Sequence, residues 1–402
     1  LLQDILIGVT TLAALVVLML PRVRNARSWR ATVTPLASII GSGFLVLGPI
    51  LSHSYGKYAP VVMALLCLAA YAFGSAIRFN IASIDRNPER SAPERRTEYF
   101  ASWSLAFAYC ISVAYYLNLF GAFSVKMTPF NSPAAAKAVT SATLILILAV
   151  GWLRGFSAME RMEQISVSLK LAIIGGLLAG LSVYFVQQAS HGELVFMPPP
   201  ETGWTGIALA FGLIITVQGF ETSRYLGNEY KPAMRVRSMR YAQWLSAAIY
   251  MAYVLLLTFA FDAETVPLTE TAIVDMMKIV SAVLPALLIV AALAAQFSAA
   301  IADTSGAGGL VEELSGHRIR PRVAYLILVV IGLGLTWFSH IFEIISLASK
   351  AFALYYALQC AIASVAAFRE ARSPVRGVAY AAFCLLAIAV LIFGQPVEGH
   401  GG

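Results

Sequence analysis

Four ionisable side chains, Lys170, Glu221, Asp303 and Lys350, each fall inside a run of otherwise apolar residues. A charge at the centre of a bilayer costs about 3 kcal/mol or more, so such groups face one another, a substrate or an ion path. Lys170 lies about seven residues into its run, roughly 10 Å along a helix from the cytoplasmic end. Its long stem allows a competing reading in which the ammonium snorkels to the interface. Lys350 is about nine residues into another helical run, and pairing with Glu221 or Asp303 would neutralise it. Asp303 follows Gln296-Phe297-Ser298-Ala299-Ala300-Ile301-Ala302, where Ser298 adds a hydroxyl. The chemistry open to this set is the binding and release of protons or ions. Bond-making chemistry has no counterpart in the chain, which carries no nucleophile elbow, phosphate loop or zinc motif. His53, His191, His317, His340 and His400 are scattered without ligand spacing. No enzyme activity, catalytic residue, metal site or cofactor is therefore expected.

Holding these groups falls to helices, two of which are interrupted. One carries Gly41, Ser42 and Gly43, the other Gly219, Phe220 and Glu221. Unwinding a membrane helix frees backbone N–H and C=O groups that hydrocarbon cannot satisfy, so a break persists only beside protein, ions or substrate. Paired breaks at corresponding positions of two halves point to a transporter binding site. Close packing of small residues is the alternative for the glycines alone. On the next helix but one after the first break, Tyr109 and Tyr116 fall on one face at i, i+7 spacing, with Tyr115 and Asn118 nearby.

Composition sets the environment. The chain of 402 residues is 59% hydrophobic and 12% charged, with a mean hydropathy of +0.77, well beyond a soluble domain. Apolar runs predict twelve spans. They lie near Asp4–Leu20, Thr32–Leu51, Ala59–Ile84, Tyr99–Phe123, Ala138–Leu153 and Glu163–Val186, then Thr205–Tyr225, Tyr241–Phe261, Ala272–Thr304, Val323–Phe338, Ile341–Phe368 and Gly377–Phe393. The expected class is an all-α integral membrane protein with a single transmembrane domain over 1–402, its partners the lipid bilayer and a small-molecule or ion substrate. Alternate loops hold 21 of the 28 Lys and Arg, and the positive-inside rule makes those loops cytoplasmic and both termini external. A net charge of +7 thus reads as topology rather than as a nucleic-acid surface. Cys67, Cys110, Cys360 and Cys384 sit in apolar runs without metal or disulfide spacing.

Residues 1–30 form an extra N-terminal helix and basic loop, with a surface for a homo-oligomer or a partner subunit. Five helices follow in 31–187 and five more in 205–368, with an additional helix at 376–394. Five is odd, so the second half must run opposite to the first, as an inverted repeat requires.

The stretch Thr34-Pro35-Leu36-Ala37-Ser38-Ile39-Ile40-Gly41-Ser42-Gly43-Phe44-Leu45 resembles the first core helix of the amino acid, polyamine and organocation (APC) superfamily. Gln218-Gly219-Phe220-Glu221 resembles its sixth, and Val167-Ser168-Leu169-Lys170-Leu171 the fifth of its proton-coupled and sodium-independent members. The resemblance implies the LeuT fold, a five-plus-five inverted repeat with two discontinuous helices, and alternating access around a midplane site. It places the substrate carboxylate at Ser42, Gly43 and Phe44 and the rest of the substrate at Gly219 and Phe220; Ser38, Gly41, Gln218 and Glu221 beside the breaks, and Tyr109 by its helix face, are further binding candidates, with helix packing the alternative for Tyr109. It sets the Lys170 ammonium where sodium-coupled relatives hold Na+; Glu221, Ser298, Asp303 and Lys350 are further coupling candidates from their place in apolar runs, and a Lys at 350 departs from the family pattern. The function it implies is secondary transport of an amino acid or a related small amine or organic ion, coupled to H+, in a bacterial inner membrane. Na+ coupling, an inorganic-ion carrier on the same fold, and a non-transporting receptor or complex subunit are the alternatives.

Overall fold

The computed structural model describes residues 2–41, 43–86, 92–153, 160–225, 230–369 and 373–397. Ser42 lies outside them. The first half comprises α1 (Leu2–Met19), α2 (Pro21–Arg24), α3 (Arg27–Ile39), α4 (Gly43–Tyr55), α5 (Ala59–Arg86), α6 (Ala92–Val125), α7 (Pro133–Leu153) and α8 (Glu160–His191). The second comprises α9 (Gly203–Gly212), α10 (Thr222–Tyr225), α11 (Pro232–Ala260), α12 (Ala272–Val280), α13 (Leu284–Leu314), α14 (Pro321–Phe338), α15 (Ile341–Arg369) and α16 (Pro374–Phe393). The described residues contain no strand. Counting α3–α4 and α9–α10 as one interrupted crossing each, and leaving out the short α2 and α12, gives the twelve crossings expected.

Burial sorts these helices into an inner and an outer set. The spanning windows of α6 and α15 are 83% and 72% buried, whereas that of α1 is only 6% buried. α6 is therefore the centre of the bundle, packed by α7, α13, α14 and α15. The buried residues of α13, its main partner, include many alanines, among them Ala291, Ala292, Ala295, Ala299, Ala300 and Ala307, and small residues let helix backbones approach where lipid gives no hydrophobic drive. The extra helix α1 lies on α8, with Gln3 Nε2 donating to the Gly180 carbonyl at 3.2 Å.

One predicted span is corrected. Ala272–Thr304 is not a single helix: α12 stops at Val280, Ser281 is extended, and α13 starts at Leu284 with Pro285 in its first turn. Proline lacks an N–H and disfavours helical geometry in the residue before it, so it starts helices rather than continuing them. With nine residues α12 is too short to cross. It is anchored through Asp275, which receives Lys126 Nζ of α6 at 2.6 Å and Lys278 Nζ at 2.8 Å.

Burial alone would raise the Asp275 carboxyl, but the hydrogen bonds and charges of Lys126 and Lys278 outweigh it and hold the group below its ordinary 3.8. A depressed folded-state value means that the stabilisation is present above 3.8 and is lost as the pH falls through that lower value. Asp275→Asn is thus expected to lower thermal stability by about 0.5 kcal/mol at neutral pH, a partly exposed pair being worth little. The gap to wild type should stay constant from about pH 8 to about pH 5 and close only in stronger acid. A gap that closed near pH 6 in a thermal-unfolding series would rule out this electrostatic account.

Candidate functional site

The first break is built by the end of α3. The last four carbonyls of a helix have no intrahelical donor and carry its negative dipole end. In α3 two of these find side chains from distant helices. Lys170 Nζ of α8 donates to the Ala37 carbonyl at 2.5 Å, and Tyr250 Oη of α11 lies 3.0 Å from the Ile39 carbonyl. Lys170 is 1% exposed, so its ammonium is held at the break and does not snorkel. Four residues before it on the same face of α8, Ser166 Oγ donates to the Ala294 carbonyl at 3.0 Å and lies 3.5 Å from Ser298 Oγ. Ser298 is thereby placed on the α8 side of α13, at the same interface as Lys170.

The second break touches the first. After α9 the chain tightens into a 3-10 turn at Ile214–Val217 and extends through Gln218 before α10 resumes. Gly219 has φ +118°, and a Cβ there would stand 2.5 Å from Ser38 Oγ and 2.6 Å from the Ile39 nitrogen. At Gly43 a Cβ would stand 2.7 Å from the Thr216 Cα. Glycine is required at both for close backbone approach, and at Gly219 also for its conformation. Tyr250 Oη bridges the pair, reaching the Thr216 carbonyl at 2.6 Å as well as that of Ile39.

That bridge is open to a direct test. Tyr250→Phe removes the one hydroxyl proton that the buried Ile39 and Thr216 carbonyls share, at a cost of roughly 1 to 3 kcal/mol. A lower unfolding temperature and weakened ligand binding are expected together. An unchanged melting curve would show that the hydroxyl does not join the breaks.

Two carboxyls lie at the breaks, Glu221 within the second break and Asp303 on α13 within electrostatic reach of it. Glu221 is 0% exposed, and its Oε2 accepts from the Gly219 N–H and from Tyr356 Oη of α15, each at 3.0 Å. Its Oε1 has no hydrogen-bond partner among the described residues. Asp303 is 3% exposed and is hydrogen-bonded to Ser112 of α6. Tyr109 and Tyr116 stand within electrostatic reach of both carboxyls. Tyr109 packs edge-on against Phe352 of α15 at 6.0 Å, and Tyr116 Oη takes a hydrogen bond from Gln218 Nε2 at 3.1 Å. The Phe220 ring stacks on Tyr356 at 5.3 Å. Tyr109, Gln218, Glu221 and Asp303 are in this way drawn into one buried cluster.

Other candidates are placed elsewhere. The Phe44 ring packs on Tyr253 and Tyr250 of α11, with centroids 4.4 and 5.4 Å away, so only its backbone can serve the break. Gly41 abuts its own turn, where a Cβ would meet the Ser38 carbonyl at 2.8 Å. Lys350 is half-buried and pairs with neither carboxylate, whose partners are Gly219, Tyr356 and Ser112. The pairing expectation is corrected because Ser349, one position before Lys350, is turned to the end of α9, bonding the Gly212 carbonyl at 2.7 Å and the Ile215 N–H at 3.0 Å. Neighbouring positions on a helix do not share a face.

Ser112, Tyr250, Ser349 and Tyr356 escaped sequence reasoning. For Tyr356 a signal existed in the pair Tyr355-Tyr356 amid apolar residues; an isolated Ser or Tyr in a membrane helix carries none. An ion pair joins Arg224 of α10 to Glu98 of α6, with Gln359 Nε2 of α15 3.4 Å from Glu98. A cavity of about 590 Å³ lies among Asn118, Lys126, Thr271, His340, Glu343 and Val397.

A family model described as APC superfamily transporter matches residues 21–394. The chain belongs to the APC superfamily. An uncharacterized protein of Aquifex aeolicus (strain VF5) is 38% identical over 404 residues, spanning 99% of this chain and 98% of that relative. Among solved structures, a Na+-coupled sialic acid symporter in a substrate-bound outward-open state matches with a TM-score of 0.57 at 14% identity, over 100% of this chain and 99% of that one. At that identity the likeness concerns the fold, which is the LeuT-type arrangement. Superfamily membership and fold together support a secondary transporter and an integral membrane protein.

Proposed function

We propose that this APC superfamily member carries an amino acid or a related small amine or organic ion by alternating access, coupled to H+ and working in a bacterial inner membrane. The observation that carries this reading is the Lys170 ammonium on the Ala37 carbonyl, 2.5 Å away at the broken end of α3. A fixed internal cation there satisfies the helix end that would otherwise attract a free one. The positive end of α4, which starts at Gly43, suits a substrate carboxylate, and the acceptor groups of Glu221 and Gln218 suit an amine. The sialic acid symporter uses Na+, and the ammonium is the feature that argues for H+ here.

The test is uptake in proteoliposomes. A thermal-shift screen of amino acids, amines and small anions would first identify a ligand, since a ligand stabilises the state that it binds. Accumulation driven by an inward proton gradient in Na+-free buffer supports the proposal, and accumulation that needs Na+ overturns the coupling. Binding without counterflow of labelled ligand would favour the receptor reading.

A further inference from the structure

Ser112 stands between two acceptors but owns one proton. Its Oγ lies 3.1 Å from the Tyr109 carbonyl and within hydrogen-bond distance of Asp303 Oδ2. A serine hydroxyl donates once and accepts through its lone pairs, whereas an ionised carboxylate can only accept. With Asp303 ionised, one of the two contacts would be acceptor against acceptor. With Asp303 protonated both close: the carboxyl O–H donates to Ser112 Oγ, and Ser112 donates to the Tyr109 carbonyl. The same count gives Glu221 the opposite state. Its Oε2 faces two donors, the Gly219 N–H and the Tyr356 hydroxyl, which is the setting of an ionised carboxylate.

We propose that Asp303 is a second proton-binding group of the transport machinery, carrying the proton in this conformation and passing it on when the Ser112 contact opens. Its surroundings fit. On α6, Tyr109 and Tyr116 face it, and Glu221 faces it from the second break. Of the other helices packed on α13, α8 brings Lys170, which is bonded to Ala37. α14 brings Tyr325 beside Gly308, α12 brings Asp275 and Lys278, which pair with one another, and α3 also touches α13. Among the described residues no cation pairs with either carboxyl; what separates them is donors, two for Glu221 Oε2 and, for Asp303, one hydroxyl shared with the Tyr109 carbonyl. Two carboxyls in such different settings take different protonation states, the arrangement from which acid and base roles are assigned. In its role this inference rests on the proton-coupled reading above; its geometry does not.

Infrared difference spectra of the purified protein in an ester-free detergent at about pH 7 read the carbonyl stretch of a protonated carboxylic acid. Wild type is expected to have this band, Asp303→Asn to lose it, Glu221→Gln to keep it, and Ser112→Ala to shift it without loss. The last variant leaves the carboxyl in place, so the test survives misfolding of Asp303→Asn. A wild type without the band, or a band lost with Glu221→Gln and kept with Asp303→Asn, would overturn the assignment. The coupled reading is tested separately by proton-gradient-driven uptake of a radiolabelled amino acid hydrolysate into proteoliposomes. If the band behaves as expected and uptake ignores the gradient, the protonated Asp303 stands and its part in coupling is overturned.

Discussion

Lys170→Ala is expected to abolish accumulation driven by a proton gradient. The side chain is 1% exposed, and its ammonium meets a carbonyl that helix geometry leaves without a donor, Ala37 at 2.5 Å. Removing it takes away the cation at the negative end of α3 and leaves a void where the stem lay. Truncating a buried side chain of this bulk costs roughly 2 to 5 kcal/mol, so loss of activity alone would be ambiguous. Lys170→Met separates the effects, because it keeps the bulk of the stem and removes only the charge. It is expected to purify as a folded protein and to exchange labelled substrate, with accumulation against a gradient reduced about tenfold or more, the scale of typical coupling energies. Undiminished gradient-driven accumulation by Lys170→Met would refute a coupling role for Lys170.

Gly219→Ala is expected to have the largest structural effect of any single methyl added to the site. The residue has φ +118°, a conformation that costs an L-residue about 1 to 3 kcal/mol. Its new Cβ would sit 2.5 to 2.6 Å from Ser38 and Ile39, where the neighbour is largely backbone and cannot rotate away; overpacking of that kind costs about 1 to 3 kcal/mol more. A total of roughly 2 to 6 kcal/mol must be relieved by separating the two breaks. The expected result is a clear fall in unfolding temperature with loss of ligand-induced stabilisation. Gly309→Ala serves as the control, since nothing lies within 4 Å of a Cβ there. Equal stability and equal ligand response in the two variants would mean that the breaks are not in contact in the working protein.

Much of the fold was legible because hydropathy is a local property. Runs of apolar residues place the crossings without reference to any partner. The single misplaced span, Ala272–Thr304, went wrong at Pro285, whose helix-starting geometry was masked by apolar residues on both sides. The site was legible only in part. Glycines and a charge in an apolar run expose themselves, which is how both breaks, Lys170, Glu221 and Asp303 could be singled out. Their partners could not, since a buried Tyr or Ser looks alike whether it bonds a neighbouring turn or another helix.

The sequence by itself determined a membrane protein of twelve crossings, two of them broken, with ionisable groups at membrane depth. Hydrophobicity, backbone satisfaction and loop charge act within a few residues of one another, and so they can be read along the chain. Which groups meet was decided only by tertiary structure. Lys170 and Ala37 are 133 residues apart, Ser112 and Asp303 191. Such contacts depend on the rotation and depth of each helix against its neighbours. In the packed bundle α13 lies on α6 with Asp303 hydrogen-bonded to Ser112, while Lys350 pairs with neither carboxylate.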